Sequence, residues 1–239
     1  MPRFLTALPV YNEAAHVAGV LDEVRKFSPD VLVVDDGSTD GTSAIVSARG
    51  DVRVVRHAAN RGYGAALATA FREALAGPWD VLVTIDCDGQ HQPRLIPDFV
   101  AAAGRHDLVS GSRYLVRFPG DSEPPAARRR INAEITAEIN ERLGLALTDA
   151  CCGFKAYSRR ALERLRPTET GYAMPLEAWV QAAAAGLSIV ELAVPLVYLD
   201  LARSFGGALD DAATRLSYYR RVLDRAEAAV AAGAGVDAG

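Results

Sequence analysis

Lysine is almost missing from this 239-residue chain, cysteine is scarce, and no apolar run is long enough to cross a membrane. Each shortage excludes something. With lysine confined to Lys26 and Lys155, nearly all positive charge is arginine, and 26 basic residues face 30 acidic ones for a net charge of -4. A protein that holds nucleic acid through bulk electrostatics needs the opposite balance, because its affinity comes from an excess of cations meeting phosphate. Cys87, Cys151 and Cys152 supply neither a disulfide framework nor the two separated pairs of a structural zinc site, which points to a reducing compartment. The N-terminal MPRFLTALPVYNE meets Asn12 and Glu13 too soon for a signal peptide. The most apolar stretch, residues 178–201, is interrupted by Gln181, Ser188, Glu191 and Pro195, so it lacks the roughly 20 apolar residues of a spanning helix. These exclusions predict a cytoplasmic protein without a transmembrane segment, leaving room for peripheral membrane contact.

Half of the residues are hydrophobic and 23% are charged, enough for a large core. Short β-branched runs at FLTAL, Val31 to Val34, Val52 to Val55, Val81 to Ile85 and Leu108 to Val109 alternate with helical patterns over Glu13 to Phe27, Thr42 to Ala48, Ala65 to Ala76 and Leu95 to Ala103. That alternation predicts an open, mostly parallel, twisted α/β sheet flanked by helices. Prolines 119, 124 and 125 mark residues 115–127 as a loop, and an amphipathic helix follows to Leu143. Strands over Phe154 to Tyr157 and Ser188 to Val197, with helices over Ser158 to Arg164, Leu176 to Ala185 and Asp211 to Ala229, complete one domain over residues 1–228. Its halves meet near residue 114, and residues 229–239 form a frayed tail.

Polar residues gather just after the strands: Pro9, Tyr11, Asn12 and Glu13; Asp35, Asp36 and Ser38; Asn60, Gly62 and Gly64; Asp86, Asp88 and Gln90. In an open parallel sheet these strand ends share one edge, where ligands bind. If the fourth strand stays extended, alternation sends Asp86 and Asp88 to one side and Cys87 into the core. Two carboxylates aimed at one point repel unless a cation relieves them. Carboxylate and Gln90 amide oxygens suit Mg²⁺ or Mn²⁺, with diphosphate oxygens completing the shell. The same residue types also make an ordinary solvated turn. His91 reads equally as a helix-entry residue or as a support for the acidic pair. Of Asp35 and Asp36, one can accept bonds from a base or ribose while the other supports the turn. Asn60 to Gly64 superficially matches a dinucleotide loop, but Leu67 replaces the third glycine and the segment follows the third strand, which leaves a Rossmann oxidoreductase as an alternative.

LPVYNE, VVDDGSTDGT, NRGYGAAL, DCDGQH and GSRY, in this order and spacing, resemble the family 2 glycosyltransferases of GT-A fold, in particular the branch that makes dolichyl- or polyprenyl-phosphate mannose or glucose. The likeness is close from Phe4 to Tyr114 and continues through residues 148–157. It implies a metal-dependent, inverting transfer from a nucleotide-diphosphate sugar. Pro9, Tyr11, Glu13 and Asp36 would hold the nucleoside, and Gly64 joins the donor-binding candidates. Asp86, Asp88 and Gln90 would hold the metal and diphosphate, and Arg113 would lie near the phosphates. The family's late phosphate motif contains a lysine that is absent beside Arg203-Ser204-Phe205-Gly206-Gly207, so Arg203 is the candidate for that role. The C-terminal spans of some members have no counterpart here.

The acceptor side stays open at this level. A hydroxyl acceptor needs a carboxylate base, for which Asp149 and Glu177 are candidates. A lipid phosphate needs cations, which Arg128 to Arg130 and Arg203 supply. The catalytic set is therefore Asp88, Asp149 and Arg203, with a lipid-phosphate or small-molecule acceptor. An inert nucleotide-sugar-binding protein is a further alternative.

Overall fold

A computed structural model describes residues 2–199 and 207–233. In chain order the elements are β1 (Phe4–Val10), α1 (Val17–Arg25), β2 (Val31–Asp35), α2 (Thr42–Ser47), β3 (Arg53–Arg56), α3 (Tyr63–Ala76), β4 (Val81–Thr84), α4 (Ile96–Ala103), β5 (Leu108–Ser112), α5 (Ala126–Leu143), β6 (Lys155–Ser158), α6 (Arg159–Arg164), α7 (Met174–Ala184), β7 (Ile189–Ala193) and α8 (Ala212–Ala231). The strands form one sheet in the order β3-β2-β1-β4-β6-β5-β7. Every neighbouring pair is parallel except those of β6, which runs antiparallel between β4 and β5.

Period-two alternation decides which face each strand residue serves. Leu5 and Ala7 of β1, with Leu32 and Val34 of β2, join a core shared with α3, α5, α7 and α8. Leu8, Val10, Val31 and Val33 point the other way, into a core under α1 and α4. Both faces are covered, which is why β2 reads VLVVD and is buried throughout. Helix α1 buries Val17, Leu21 and Val24, one stripe at helical spacing. Helix α3 turns Gly64, Ala65, Ala66, Ala70 and Ala74 inward, small side chains that let it lie close on the sheet.

Several boundaries differ from the sequence reading. The expected helix from Glu13 begins only at Val17, because residues 14–16 form a turn in which the Asp40 carboxylate takes the Ala14 N–H at 3.0 Å. The expected strand from Ser188 to Val197 pairs only over Ile189–Ala193. Beyond it the chain leaves the sheet as a strap, with Leu196 and Tyr198 N–H groups bonded to Asp121 and Ser122 at 2.9 and 3.0 Å. Helix α8 continues to Ala231, so residues 229–231 are helical where a frayed tail was expected. Its start is fixed by Asp211, whose carboxylate accepts the Thr214 N–H at 2.8 Å. Among the described residues no helix is long and apolar enough to cross a membrane.

Candidate active site

A cleft of about 610 Å³ opens at the carboxyl ends of β1, β2 and β4. Pro9, Tyr11 and Glu13 line it after β1, Asp36 after β2, Asn60 and Gly62 before α3, and Asp86 and Gln90 after β4. The four strand-end motifs thus meet at one place. The lining is completed by Arg113 and Tyr114 just after β5 and by Arg128, Asn132, Cys151, Tyr198 and Arg215 from the second half. Six of the eight tyrosines, at 11, 63, 114, 172, 198 and 219, line this one cleft. The sequence reading singled out only Tyr11; Tyr63 and Tyr114 lie in motifs it quoted without giving them a role, and Tyr172, Tyr198 and Tyr219 lie on separate elements that converge only in the folded chain.

At the end near β2, local bonds lock three segments together. Asn12, at a positive φ of 55°, gives its N–H to Ser38 Oγ at 3.0 Å and takes the Thr39 N–H at 2.8 Å. Asp35 is wholly buried and accepts the Ser38 N–H at 2.9 Å and the Ser43 hydroxyl. Burial alone would raise its pKa, but these bonds bring the carboxyl below its ordinary value. Asp35 is the turn support. Asp36 lines the cleft, yet its oxygens already accept the N–H groups of Arg61 at 2.9 Å and Gly62 at 2.8 Å, and His57 Nδ1 lies 2.6 Å away. His57 is in turn held by Thr69, 2.9 Å from Nε2. The structure therefore gives Asp36 a task the sequence did not show, fastening the Asn60 to Gly62 loop against β2.

Gly64 also changes role. It is buried in the first turn of α3, outside the cleft lining, and a Cβ there would overlap the Glu169 carbonyl. Gly62 needs φ of 101°, and its own Cβ would strike the Thr170 carbonyl, which accepts the Ala65 N–H at 3.1 Å. Both glycines admit residues 169–171 close against α3, and only Gly62 also lines the cleft. With Asp36 and Thr170 bonded to the amides around the α3 N-terminus, the arrangement is not the open amide cradle of a dinucleotide loop.

The ladder of β4 stops at Thr84, but alternation in burial continues: Ile85 and Cys87 are buried in the core while Asp86 and Asp88 are half-buried. Tyr63 donates its hydroxyl to Asp86 Oδ1 at 2.9 Å, and burial, then the Asp86 charge, pushes that phenol far above its ordinary pKa, so it remains a donor. On the other side His91 Nδ1 lies 3.8 Å from Asp86 Oδ2, while His91 Nε2 lies 4.0 Å from the Cys152 sulfur. Burial disfavours a charged His91, but Cys152 and then Asp86 and Asp88 outweigh it and raise the pKa to about 9. His91 is thus a support of the acidic turn rather than a helix entry. Gly153 completes the seat, since a Cβ there would overlap the Asp86 carboxylate.

Asp86 and Gln90 line the cleft, whereas Asp88 lies outside its lining and accepts the Gln90 N–H at 3.0 Å. Among the described residues no group of three His, Cys, Asp or Glu side chains is placed to hold a metal. This partial oxygen set fits a hard divalent cation shared with a diphosphate better than an ion enclosed by protein alone.

The two proposed acceptor bases are committed elsewhere. Asp149 is wholly buried, and its carboxylate takes Arg113 Nε at 2.6 Å, Arg113 Nη2 at 2.9 Å and the Asn132 amide at 2.9 Å. Burial would raise its pKa, but the Arg113 guanidinium, then Asn132, holds it below the ordinary range. It serves as an anchor for Arg113, so the general-base role expected for it is withdrawn. Glu177 is buried too, and accepts the N–H groups of Thr168 and Glu169 at 2.8 and 2.7 Å. It holds the loop that docks on α3. Arg128 lines the cleft, its guanidinium 5.9 Å from the Tyr198 ring centre, while Arg129 and Arg130 are exposed. Arg215 of α8, buried and in the cleft lining, carries no local motif and was missed. Arg203 lies outside the described residues.

The sheet and its edge cleft have the architecture of the GT-A glycosyltransferases. The chain belongs to glycosyl transferase family 2, whose model matches residues 6–166 and so extends the resemblance past Tyr114 through Cys151 to Tyr157. It is 34% identical over 230 residues to the undecaprenyl-phosphate mannosyltransferase of Micrococcus luteus, covering 91% of this chain and 93% of the relative. It is 33% identical over 248 residues to the polyprenol monophosphomannose synthase of Mycolicibacterium smegmatis, covering 95% and 91%. Among solved structures it is similar to glucosyl-3-phosphoglycerate synthase from Mycobacterium tuberculosis in complex with Mn²⁺, UDP and glucosyl-3-phosphoglycerate. The TM-score is 0.72 at 22% identity, over 95% of this chain and 80% of that one, a likeness of fold. The protein is a glycosyltransferase, and the oxidoreductase and inert-binder alternatives fall away.

Proposed function

We propose that this enzyme transfers a hexose, with inversion at the anomeric carbon, from a nucleoside-diphosphate sugar to a polyprenyl phosphate at the cytoplasmic face of a membrane. One observation carries the acceptor reading. From residue 113 onward the described cleft lining includes Arg113, Arg128 and Arg215 and no carboxylate, whereas Glu13, Asp36 and Asp86 all come from the first half. A hydroxyl nucleophile has a proton to lose and calls for a carboxylate base, while a phosphate monoester is already anionic and calls for cations. The names of the two bacterial relatives support the same acceptor class and suggest mannose as the sugar.

In this reading Pro9, Tyr11, Glu13 and Asp36 form the nucleoside end, Asp36 also acting through the loop it fastens. Asp86, Asp88 and Gln90 would hold Mg²⁺ or Mn²⁺ together with the donor diphosphate, and the bound cation would neutralise charge on the leaving group. Arg113, braced by Asp149, and Arg128 orient the acceptor phosphate. One of that phosphate's oxygens forms the new bond to C1 of the sugar from the face opposite the diphosphate. The bond from C1 to the diphosphate breaks, and its electron pair leaves with the nucleoside diphosphate. No proton transfer is needed on the acceptor side.

The test is radiolabelled donor incubated with Mn²⁺ and polyprenyl phosphate, beside a panel of soluble hydroxyl acceptors. Label is expected in the organic phase. Label held wholly in the aqueous phase on a soluble acceptor overturns the reading.

A further inference from the structure

Exposed apolar side chains are concentrated around the cleft. Among the described residues the exposed large hydrophobics are Tyr11, Leu115, Val116, Tyr172 and Leu199. Tyr11 and Tyr172 line the cleft itself. Leu115 and Val116 follow the lining residues Arg113 and Tyr114, and Leu199 follows the lining residue Tyr198. These two segments form one rim. Ser122 gives its N–H to the Leu196 carbonyl at 2.7 Å, the Asp121 carboxylate takes the Leu196 N–H at 2.9 Å, and Ser122 Oγ takes the Tyr198 N–H at 3.0 Å. Leu199, 65% exposed, passes over Gly89 of the acidic turn, its Cδ1 being 3.1 Å from where a Cβ on Gly89 would lie.

The rim's charge contrasts with that of the chain. Residues 113–130 carry five arginines against Asp121 and Glu123, on a protein whose net charge is -4. Arg113 is neutralised by Asp149 and Arg117 pairs with Glu123 at 2.8 Å, while Arg129 stands exposed at the end of the first turn of α5 and Arg130 just beyond it. A helix N-terminus disfavours cations, so this placement gains from an external anion. Arg128, preceding this pair, lies 5.9 Å from the ring of Tyr198, which precedes Leu199, so α5 and the rim meet here. Exposed aliphatic tips together with exposed guanidiniums match the two layers of an anionic lipid surface, with acyl chains below and phosphates at the headgroup level.

We propose that Leu115, Val116 and Leu199, with Arg129 and Arg130, dock the protein on an anionic membrane, holding the cleft mouth against the headgroup layer. The docking rests on the lipid-phosphate reading for its purpose, but it is a property of the surface and does not require the acceptor. Arginines near such a surface contribute about fivefold each in partition, and the aliphatic tips add hydrophobic insertion.

The test is flotation of the full chain with phosphatidylcholine vesicles, with and without phosphatidylglycerol and free of polyprenyl phosphate. Wild type should float with the anionic vesicles and release in high salt. The Leu115→Asp/Val116→Asp variant should lose at least about tenfold in partition, and Arg129→Gln/Arg130→Gln a similar amount. In the Leu115→Asp/Val116→Asp variant nucleotide binding by calorimetry and transfer to a short, water-soluble polyprenyl phosphate should persist, since these two residues lie outside the cleft lining. Wild type that stays unbound, or variants that float equally well, overturn the docking surface. Self-association that the variants abolish would assign the rim to a second copy and also overturn it. Transfer to the short acceptor without vesicle binding defeats the docking alone, whereas vesicle binding without transfer to any polyprenyl phosphate defeats the acceptor reading alone.

Discussion

Replacing Asp149 by asparagine separates an anchor from a base. The change keeps the shape and removes the charge that faces the Arg113 guanidinium, whose side chain is 19% exposed while that of Asp149 is fully buried. Breaking a buried pair from one side leaves the other charge uncompensated, at a cost of about 3–5 kcal/mol. For a chain of this size each kcal/mol moves Tm by about 2–4 °C, so the variant should melt roughly 6–20 °C lower. Arg113 is then free to leave its place. Misplacing a positioning group by an ångström can cost about 100-fold, the loss expected in kcat/KM for the acceptor, with nucleotide affinity changed far less. Asp149→Leu combined with Arg113→Met removes both charges and should recover most of the stability, because apolar replacement of a buried pair is often neutral, but transfer should stay lost. Thermal denaturation, calorimetry with nucleotide and transfer kinetics on the three proteins supply the measurements. An active double variant, or an Asp149→Asn protein with wild-type melting and full transfer, would refute the anchor. The acid limb has a definite sign. The folded pKa of Asp149 is depressed, so its stabilisation is present above the unfolded value near about 3.9 and is lost as pH falls through the folded one. Wild type should therefore lose its advantage over Asp149→Asn in strong acid.

Gly153→Ala should displace the Asp86 carboxylate and reduce Mn²⁺-dependent donor binding by more than about tenfold while binding without metal changes little; calorimetry showing an unchanged metal-dependent component would remove Gly153 from this role. Asp36→Ala strips acceptors from the Arg61 and Gly62 N–H groups and a partner from His57, each loss costing about 1–3 kcal/mol where water cannot replace it. Nucleotide affinity should fall both with Mn²⁺ and with chelator, and a loss confined to the Mn²⁺ arm contradicts the loop-fastening argument. Burial pushes the Cys151 thiol up to about 12, so this residue of the cleft wall should react only slowly with iodoacetamide at mildly alkaline pH, and the buried Cys87 and Cys152 should label on unfolding. Rapid labelling of Cys151 in the folded state would show that the cleft wall is open there.

The sequence by itself determined the elements whose signal is local. FLTAL, VLVVD and VLVT read as buried strands because unbroken apolar runs are needed where both sheet faces are covered. The polar clusters after them declared a common edge, and the DCDGQ turn kept its alternation even after the ladder ended. Only the tertiary structure decided that β6 runs antiparallel between β4 and β5, a pairing between segments about 70 residues apart in one case. It also decided what each polar side chain faces. Asp149 and Glu177 carry the residue type of a base, but Arg113 and the Thr168 to Glu169 amides consume their lone pairs. Arg215 and the cleft tyrosines 172, 198 and 219 belong to no motif, since α8, the turn before α7 and the strap after β7 bring them together from distant positions. Strand and helix propensity act over a few neighbouring residues, whereas the role of a carboxylate or guanidinium depends on which remote segment packs against it and satisfies its bonds.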